Sequence, residues 1–424
     1  MIAILLFFLL LACCCCCCFS DPTSRVFEAT PNQQRSIVLI VSRLGLANRF
    51  RALVDWYQLA VLSRRDLIVS WEATLDCNAT FPDLFKAGPD KLKILPFALP
   101  SGVTGLQVVA DMATEFGLTV SILSEPRDPP HTADPREVNM FAPGHSSFVV
   151  SKSILMGDVD VLVTDYIGLT IFEGLSCQSY TFKHSEILRA LVPNDNLMAV
   201  VGEVKNNYFS DRVMIGVHVR LHEEHQDWAV VPPFNYGDDQ LTAVNFGVGA
   251  TTDHFIDYLS RIATKMSTQV RFFVASNSPE AKRLILSHFP DSVIINGDYR
   301  RDSLEGVQFA FVEWLILSEA ALVLNTYGSS FAVEASQVHQ RPLAGIYAGR
   351  VLHTHNPYLP FCGHLLYLKT YAQQGQEEVY IEKQHGASFQ RPVPGKHIWM
   401  QACDNLKEWG LDSFCVKADD EERD

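Results

Sequence analysis

Ile215-Gly216-Val217-His218-Val219-Arg220 is an apolar run that ends in a histidine and an arginine two positions apart. A strand sends side chains i and i+2 to the same face, so His218 and Arg220 project together from its carboxyl end. Open α/β sheets hold their ligands at that end. Arginine brings a planar fork of donors that suits phosphate oxygens, and its charge survives burial. The chain continues Leu221-His222-Glu223-Glu224-His225-Gln226-Asp227-Trp228, which puts three carboxylates in one loop. A carboxylate within hydrogen-bond reach of a hydroxyl can take its proton. Asp227, beside an aromatic ring that could stack on a sugar, is the first candidate for that base, with Glu223 and Glu224 as alternatives. His218, His222 and His225 also invite a metal reading. Zinc proteases, however, need two histidines four apart on a helix around a glutamate, and here His222 and His225 are three apart. No metal is expected.

The elements that must position these residues alternate regularly. Val270–Ser276 reads as a strand, and Ser278-Pro279-Glu280 opens a helix that runs to about Phe289, with Ser278 as N-cap and Pro279 at the first helical position. Ser292–Asn296 reads as a strand, Leu304–Glu319 as a helix and Ala321–Asn325 as another strand. The turn Thr326-Tyr327-Gly328-Ser329-Ser330 leads into a short helix, Phe331–Val338, and Pro342–Tyr347 gives one more strand. Strand and helix alternating over short connections imply an α/β fold with a doubly wound parallel sheet. Gly328-Ser329-Ser330 lies between a strand and a helix, where backbone N–H groups and hydroxyls can hold a diphosphate. Glu313 interrupts the apolar face Phe309, Val312, Leu315, Ile316. It either accepts hydrogen bonds from a nucleobase or stands on the solvent side of its helix.

Near the amino end, Ser36–Val41 is a continuous apolar run, as expected of a strand covered on both faces. Gly45-Leu46-Ala47-Asn48-Arg49 follows. Phe50, Leu53, Val54, Tyr57 and Val61 then recur at helical spacing, with Asn48 placed to cap that helix. A strand, a glycine loop and a helix start make a ready site for an anion or polar ligand. The G-x-G-x-x-G dinucleotide fingerprint is absent.

Taken in order, Gly45-Leu46-Ala47-Asn48-Arg49, His218-Val219-Arg220, Ser303-Leu304-Glu305-Gly306-Val307, Glu313 and Thr326-Tyr327-Gly328-Ser329-Ser330-Phe331 resemble the GDP-fucose-dependent fucosyltransferases. The groups resembled are the core α1,6-fucosyltransferases, the rhizobial nodulation fucosyltransferase and the protein O-fucosyltransferases, over roughly residues 36 to 350. The resemblance implies a GT-B type architecture, two Rossmann-like doubly wound domains facing a cleft. It implies an inverting, metal-independent transfer of fucose from a GDP-sugar donor, GDP-fucose, to a glycan or glycoprotein acceptor. It further implies that His218 touches the guanosine moiety and that Arg220 holds the β-phosphate and stabilises the leaving GDP. Glu313 would stand where the family has an aspartate that binds guanine. Ser329, Ser330 and Phe331 would line the diphosphate and sugar end, and Asn48 and Arg49 would meet the donor from the other domain. Three positions depart from the family pattern. Leu221 stands where the α1,6 enzymes carry a second arginine, Glu313 is one methylene longer than aspartate, and Ala275-Ser276-Asn277 replaces an Ala-Ser-Asp run. Two alternatives follow: an inactive glycan- or nucleotide-binding protein on the same scaffold, and a GT-B transferase with another nucleotide sugar.

The chain of 424 residues is long enough for two domains with sizeable cores. Its 34 basic and 48 acidic residues give a net charge of −14, and no basic stripe with interleaved aromatics occurs, which excludes nucleic acid as an expected partner. Residues 1–20 read as a signal peptide or membrane anchor: Ile2 to Phe19 is unbroken apolar sequence containing Cys13 through Cys18, and small residues precede Asp21. Residues 21–35 read as a linker, 36–210 as an acceptor-side domain and 211–350 as the GDP-sugar-binding domain. Residues 351–424 read as a return segment with an acidic, disordered tail. A leader of this kind points to the secretory pathway lumen, Golgi or ER. There Cys77, Cys177, Cys362, Cys403 and Cys415 would give two pairs and one leftover, with Cys403 and Cys415 as the local pair, and Asn78-Ala79-Thr80 is a glycosylation sequon.

Overall fold

The computed structural model describes residues 35–42, 44–96, 98–99, 102–123, 147–150, 157–165, 169–172, 177–221, 251–266, 269–326, 329–347 and 350–355. The expected targeting segment, most of the expected linker, the loop beyond Leu221 and the chain after His355 lie outside the described residues.

Two five-stranded sheets carry the fold. In the first, β1 (Ser36–Val41), β2 (Asp66–Trp71), β3 (Leu92–Ile94), β4 (Val120–Leu123) and β5 (Val161–Thr164) lie in the order β3-β2-β1-β5-β4, all parallel. In the second, β6 (Val213–Val219), β7 (Val270–Ser276), β8 (Leu322–Thr326), β9 (Leu343–Tyr347) and β10 (Arg350–His355) lie in the order β7-β6-β8-β9-β10. Among the described residues of this sheet only the pair β9 and β10 is antiparallel, and β10 straddles the 350/351 boundary drawn from the sequence. Each sheet is doubly wound: the chain builds outward from its first strand on one side, then crosses to the other. The crossings fall between β1 and β5 and between β6 and β8. The layout is two Rossmann-like, doubly wound units. Phe85–Ala87 with Val192–Pro193 and Ser147–Val150 with Leu169–Phe172 form two short pairs outside the sheets.

The apolar runs are continuous because each sheet is covered twice. Val38 and Ile40 of β1 face α2 (Gly102–Glu115) through Leu106, Val109 and Ala113. Ile37, Leu39 and Val41 face the opposite way, onto α1 (Leu46–Leu62). In the second sheet Ile215, Val217 and Val219 turn to α5 (Thr252–Met266) and α6 (Pro279–His288). The other face meets α7 (Leu304–Glu319) and α8 (Ser330–Val338). The remaining long helices, α3 (Cys177–Ala190) and α4 (Asp195–Tyr208), join this middle layer, where the inner faces of both sheets share one core. Phe50 of α1 sits at its centre, with ring centroids 5.5 Å from Phe311 and 5.0 Å from Trp314 of α7. Each such pair adds about 0.5–1.5 kcal/mol beyond its buried area. Asn78 stitches the halves at the rim: its N–H donates to the Arg301 carbonyl (3.0 Å) and its Nδ2 to the Asp302 carbonyl (2.8 Å). The sequon asparagine is thus a structural donor.

Several boundaries differ from the sequence expectation, each for a local reason. Gly45, not Asn48, is the N-cap of α1, and Asn48 lies inside its first turn. The strand expected at Asp158 begins at Val161. There Arg35 and Arg65 take the carbonyls of Gly157, Val159 and Asp160, and Asp160 accepts from Thr119. The strand expected over Ser292–Asn296 shrinks to a single parallel bridge, Phe273 with Val293. Past that point the Ile295 carbonyl accepts from Lys282 Nζ at 3.0 Å instead of a neighbouring strand. Gly306 is required by packing: a Cβ there would lie 1.8 Å from the Arg300 carbonyl oxygen, in the turn where Ser303 caps α7 by accepting from the Gly306 N–H.

Candidate functional site

β6 is the second strand in its sheet, flanked by β7 and β8, and the winding reverses between β6 and β8. Doubly wound sheets bind ligands outside the carboxyl ends at such a reversal. His218 of β6 lies directly opposite Asn325 of β8, so the two side chains share a face.

His218 is 4 % exposed, and its ring stacks on Phe331 of α8 with centroids 4.9 Å apart and planes 24° from parallel. Burial, and then the charge of Arg220, push its pKa down to about 3. The imidazole is therefore neutral, with one nitrogen to donate and one to accept. Its Nδ1 is buried without a hydrogen-bond partner among the described residues, and so is Asn325 Oδ1. Leaving a buried polar group unserved costs about 1–3 kcal/mol. Two such atoms on adjacent strands, on one face and at the reversal, mark where a polar ligand would be served.

Beyond His218 the chain is held from both sides. Arg220 N–H donates to Thr326 Oγ1 of β8 at 2.9 Å. Leu221 N–H donates to Asn277 Oδ1 at 3.0 Å, while Asn277 Nδ2 donates to the Leu221 carbonyl at 2.8 Å. Ser276 Oγ donates to the Val219 carbonyl at 2.7 Å. These bonds fix the backbone from which the half-buried Arg220 departs.

α8 opens at the same place. Ser329 is its N-cap, but the Ser329 hydroxyl makes no cap bond, and Ser330 is the first helical residue. The first-turn N–H groups of a helix have no intrahelical acceptor, and the macrodipole makes that end positive. No acidic residue stands in the first turn of α8 to neutralise it. A helix start without a side-chain cap bond among the described residues, two hydroxyls and an arginine arriving from the next strand are the parts of a phosphate site.

The structure thus gathers His218, Arg220, Ser329, Ser330 and Phe331 at one end of the second sheet. It also adds Asn325, Thr326 and Asn277, to which the sequence reading gave no role in the site. Asn325 could have been singled out as a polar residue closing an apolar strand. Asn48 is half-buried in the first turn of α1, which starts at the carboxyl end of β1. Arg49 is turned the other way: it is 0 % exposed, with Nε donating to the Leu44 carbonyl at 2.9 Å and Nη2 to Thr74 Oγ1 at 2.7 Å. Its guanidinium lies 5.6 Å from the Trp71 ring centroid, so it braces the loops of the first unit. Glu313 is neither on the solvent side nor open to a base. It is 4 % exposed and bonded to Lys282 Nζ in the interior. Glu223, Glu224 and Asp227 lie outside the described residues, as do His222 and His225. Cys77 is a buried free thiol, and Cys362, Cys403 and Cys415 lie outside the described residues.

No family model and no curated protein matches this chain. It is similar in structure to solved fucosyltransferases. NodZ from Bradyrhizobium is 15 % identical with a TM-score of 0.45, over 74 % of this chain and 96 % of that one. A variant of Arabidopsis thaliana FUT1 in complex with GDP is 14 % identical with a TM-score of 0.44, over 78 % of this chain and 75 % of that one. POFUT1 in complex with GDP is 12 % identical with a TM-score of 0.44, over 73 % of this chain and 96 % of that one.

Proposed function

We propose that this protein transfers fucose from GDP-fucose to a hydroxyl of a glycan or glycoprotein acceptor, with inversion and without a metal. The observation that carries this reading is the convergence at the β6/β8 reversal: a neutral buried imidazole, an arginine and the serine-bearing start of α8. The acceptor oxygen attacks the anomeric carbon, the bond from that carbon to the β-phosphate oxygen breaks, and the electron pair leaves with GDP. Arg220 and the α8 amino terminus stabilise the charge that builds on the diphosphate. His218 serves the guanosine part through hydrogen bonds that need no charge. Ser329, Ser330 and Phe331 line the diphosphate and the sugar. The acceptor proton passes to a loop carboxylate, Asp227 in this reading, with Glu223 and Glu224 as alternatives. The apolar segment Ile2 to Phe19 supports a site of action in the lumen of the secretory pathway, with the protein either anchored through that segment or released from it.

One observation favours a different nucleotide sugar: Glu313 is engaged by Lys282, which removes the carboxylate expected at the guanine. Thermal shift with GDP, UDP and CMP decides between the donors. At about a hundred times its Kd, GDP adds roughly 2.7 kcal/mol and raises the melting temperature by several degrees. Arg220→Ala abolishes the shift. A larger shift with UDP or CMP, or an undiminished shift in the variant, would overturn the donor assignment. Fucose transfer from GDP-fucose, assayed across an acceptor array, separates the enzyme from an inactive binder.

A further inference from the structure

The helix that opens the site is tied to the other half of the molecule by one buried carboxylate. Glu334 stands one turn beyond Ser330 in α8 and is 0 % exposed. Arg51 Nε donates to its Oε1 at 2.7 Å, and His184 Nε2 lies 2.8 Å from its Oε2. Arg51 belongs to α1, one turn beyond Asn48, and His184 belongs to α3. Asp55, the next turn of α1, is fully buried and lies 3.7 Å from His184 Nδ1, an ion pair too long to be a direct hydrogen bond. The polar stripe continues inward. Gln58 of α1 and Gln337 of α8 are both buried, with both amide atoms unpaired among the described residues. Ser185 of α3 donates to the Val338 carbonyl at the end of α8, at 3.0 Å.

Stability does not explain such a stripe. Well-packed apolar residues in place of a buried ion pair are often neutral or stabilising, whereas removing one partner alone is costly. What the charges supply is register. Both oxygens of Glu334 are served by groups from two different helices, so sliding or rotating α8 against α1 strands a buried charge. The aromatic core beside it, around Phe50 and Phe311, tolerates small shifts far better, because dispersion contacts are non-directional. α8 begins at the carboxyl end of β8 and α1 at that of β1, so the register of these two helices sets how their amino termini are placed.

We infer that Glu334 is a positioning residue for the donor site: through Arg51 and His184 it holds the amino terminus of α8, with Ser329, Ser330 and Phe331, against α1 and Asn48. The clamp is a property of the free protein. Its consequence for ligand affinity rests on the donor reading given above.

Hydrogen exchange on the ligand-free protein tests the clamp directly. Glu334→Gln keeps the shape and removes the charge. It should speed exchange of the bonded amides Val333–Val338 at least tenfold while β6 stays protected. Arg51 keeps 17 % of its side chain exposed and His184 stays beside Glu334 without it, so Arg51→Gln is the milder variant and should loosen the same α8 amides from a different helix. If α8 protection is unchanged in the folded variants, the inference is overturned. Calorimetric titration with GDP then compares wild type, Glu334→Gln, Ser330→Ala and the double variant. A positioning role predicts a loss of about tenfold for Glu334→Gln, and a Ser330→Ala effect that shrinks below twofold in its background. Additive losses would mean a merely structural residue and would also overturn it. Loosened α8 amides together with a wild type that does not bind GDP would instead sink the donor reading.

Discussion

The imidazole of His218 and the ring of Phe331 lie face to face, 4.9 Å between centroids. One ends the strand β6 and the other begins the helix α8, so this stack joins the two elements whose ends define the site. It also seals His218 from water on one side and fixes which edge of the imidazole is left to meet a ligand.

A sealed imidazole beside an arginine should not titrate in the physiological range. The His218 ring resonances are expected to stay flat between pH 5 and 8, whereas an inflection near the usual histidine value would contradict the burial. The sign for stability follows. His218 has a folded-state pKa of about 3, below its unfolded value, so the unfolded chain binds a proton first as the pH falls. The protein therefore loses about 1.4 kcal/mol per pH unit from this group as the pH drops below about 6.5. Phe331→Ala should admit water and weaken that slope.

Asn277 brackets the backbone of Leu221 with both ends of its amide. An aspartate, the residue that the family resemblance leads one to expect, keeps the acceptor but loses the donor and turns a negative charge toward the Leu221 carbonyl. Asn277→Asp should lower stability by about 1–3 kcal/mol. An unchanged urea midpoint would show that the bracket is dispensable.

Much of this fold was legible because it is local. Ser278 and Pro279 announce α6, and Ser278 does accept from the Ala281 N–H at 3.2 Å. Apolar runs flanked by helical spacing give β1, β6, β7 and β8, because strands covered on both faces must be apolar throughout. His218 could be picked out because it interrupts such a run near its end, and Ser329 and Ser330 because they lie in the turn between a strand and a helix. The polar partnerships were illegible. Glu334 finds its partners 283 and 150 positions away, and Lys282 and Glu313 are 31 apart on different helices. Periodicity marks which face of a helix is buried, but not which charge on another element comes to meet a charge on that face. Arg49 shows the same limit. It follows a glycine loop as a ligand arginine would, yet two carbonyls and a threonine hydroxyl of its own unit take its donors.

His184 titrates with the opposite sign to His218. Burial opposes its charge, but Glu334, and then Asp55, outweigh burial and lift its pKa to about 9. A histidine with a raised folded-state pKa gives stability that is complete below its unfolded value near 6.5, and that stability is lost as the pH rises through about 9. The facing groups are Glu334, Asp55 and, across Glu334, Arg51. The melting temperature of wild type should fall between pH 7 and 9.5 by more than that of Glu334→Gln, in which the partner charge is gone. Parallel profiles for the two proteins would count against a protonated His184.

Lys282 and Glu313 offer the sharpest test of what the second unit recognises. Lys282 Nζ donates to Glu313 and to the Ile295 carbonyl, and lies 4.8 Å from the ring centroids of both Tyr299 and Phe309. Burial pushes the Glu313 carboxyl up to about 7 against the pull of that ammonium. Lys282→Met alone leaves the carboxyl without its partner and should cost about 3–5 kcal/mol, whereas adding Glu313→Gln should recover most of it, because the stranded charge disappears. Ligand binding separates the two roles open to Glu313. As an interior partner of Lys282, its replacement by Gln changes the denaturation midpoint and leaves GDP affinity within about twofold, since a side chain that neither touches the ligand nor positions a group that does adds no differential binding free energy. A carboxylate that reached a guanine edge would show the reverse, a tenfold or greater loss of GDP affinity at nearly constant stability. That outcome would require α7 to turn Glu313 away from Lys282 when the nucleotide binds.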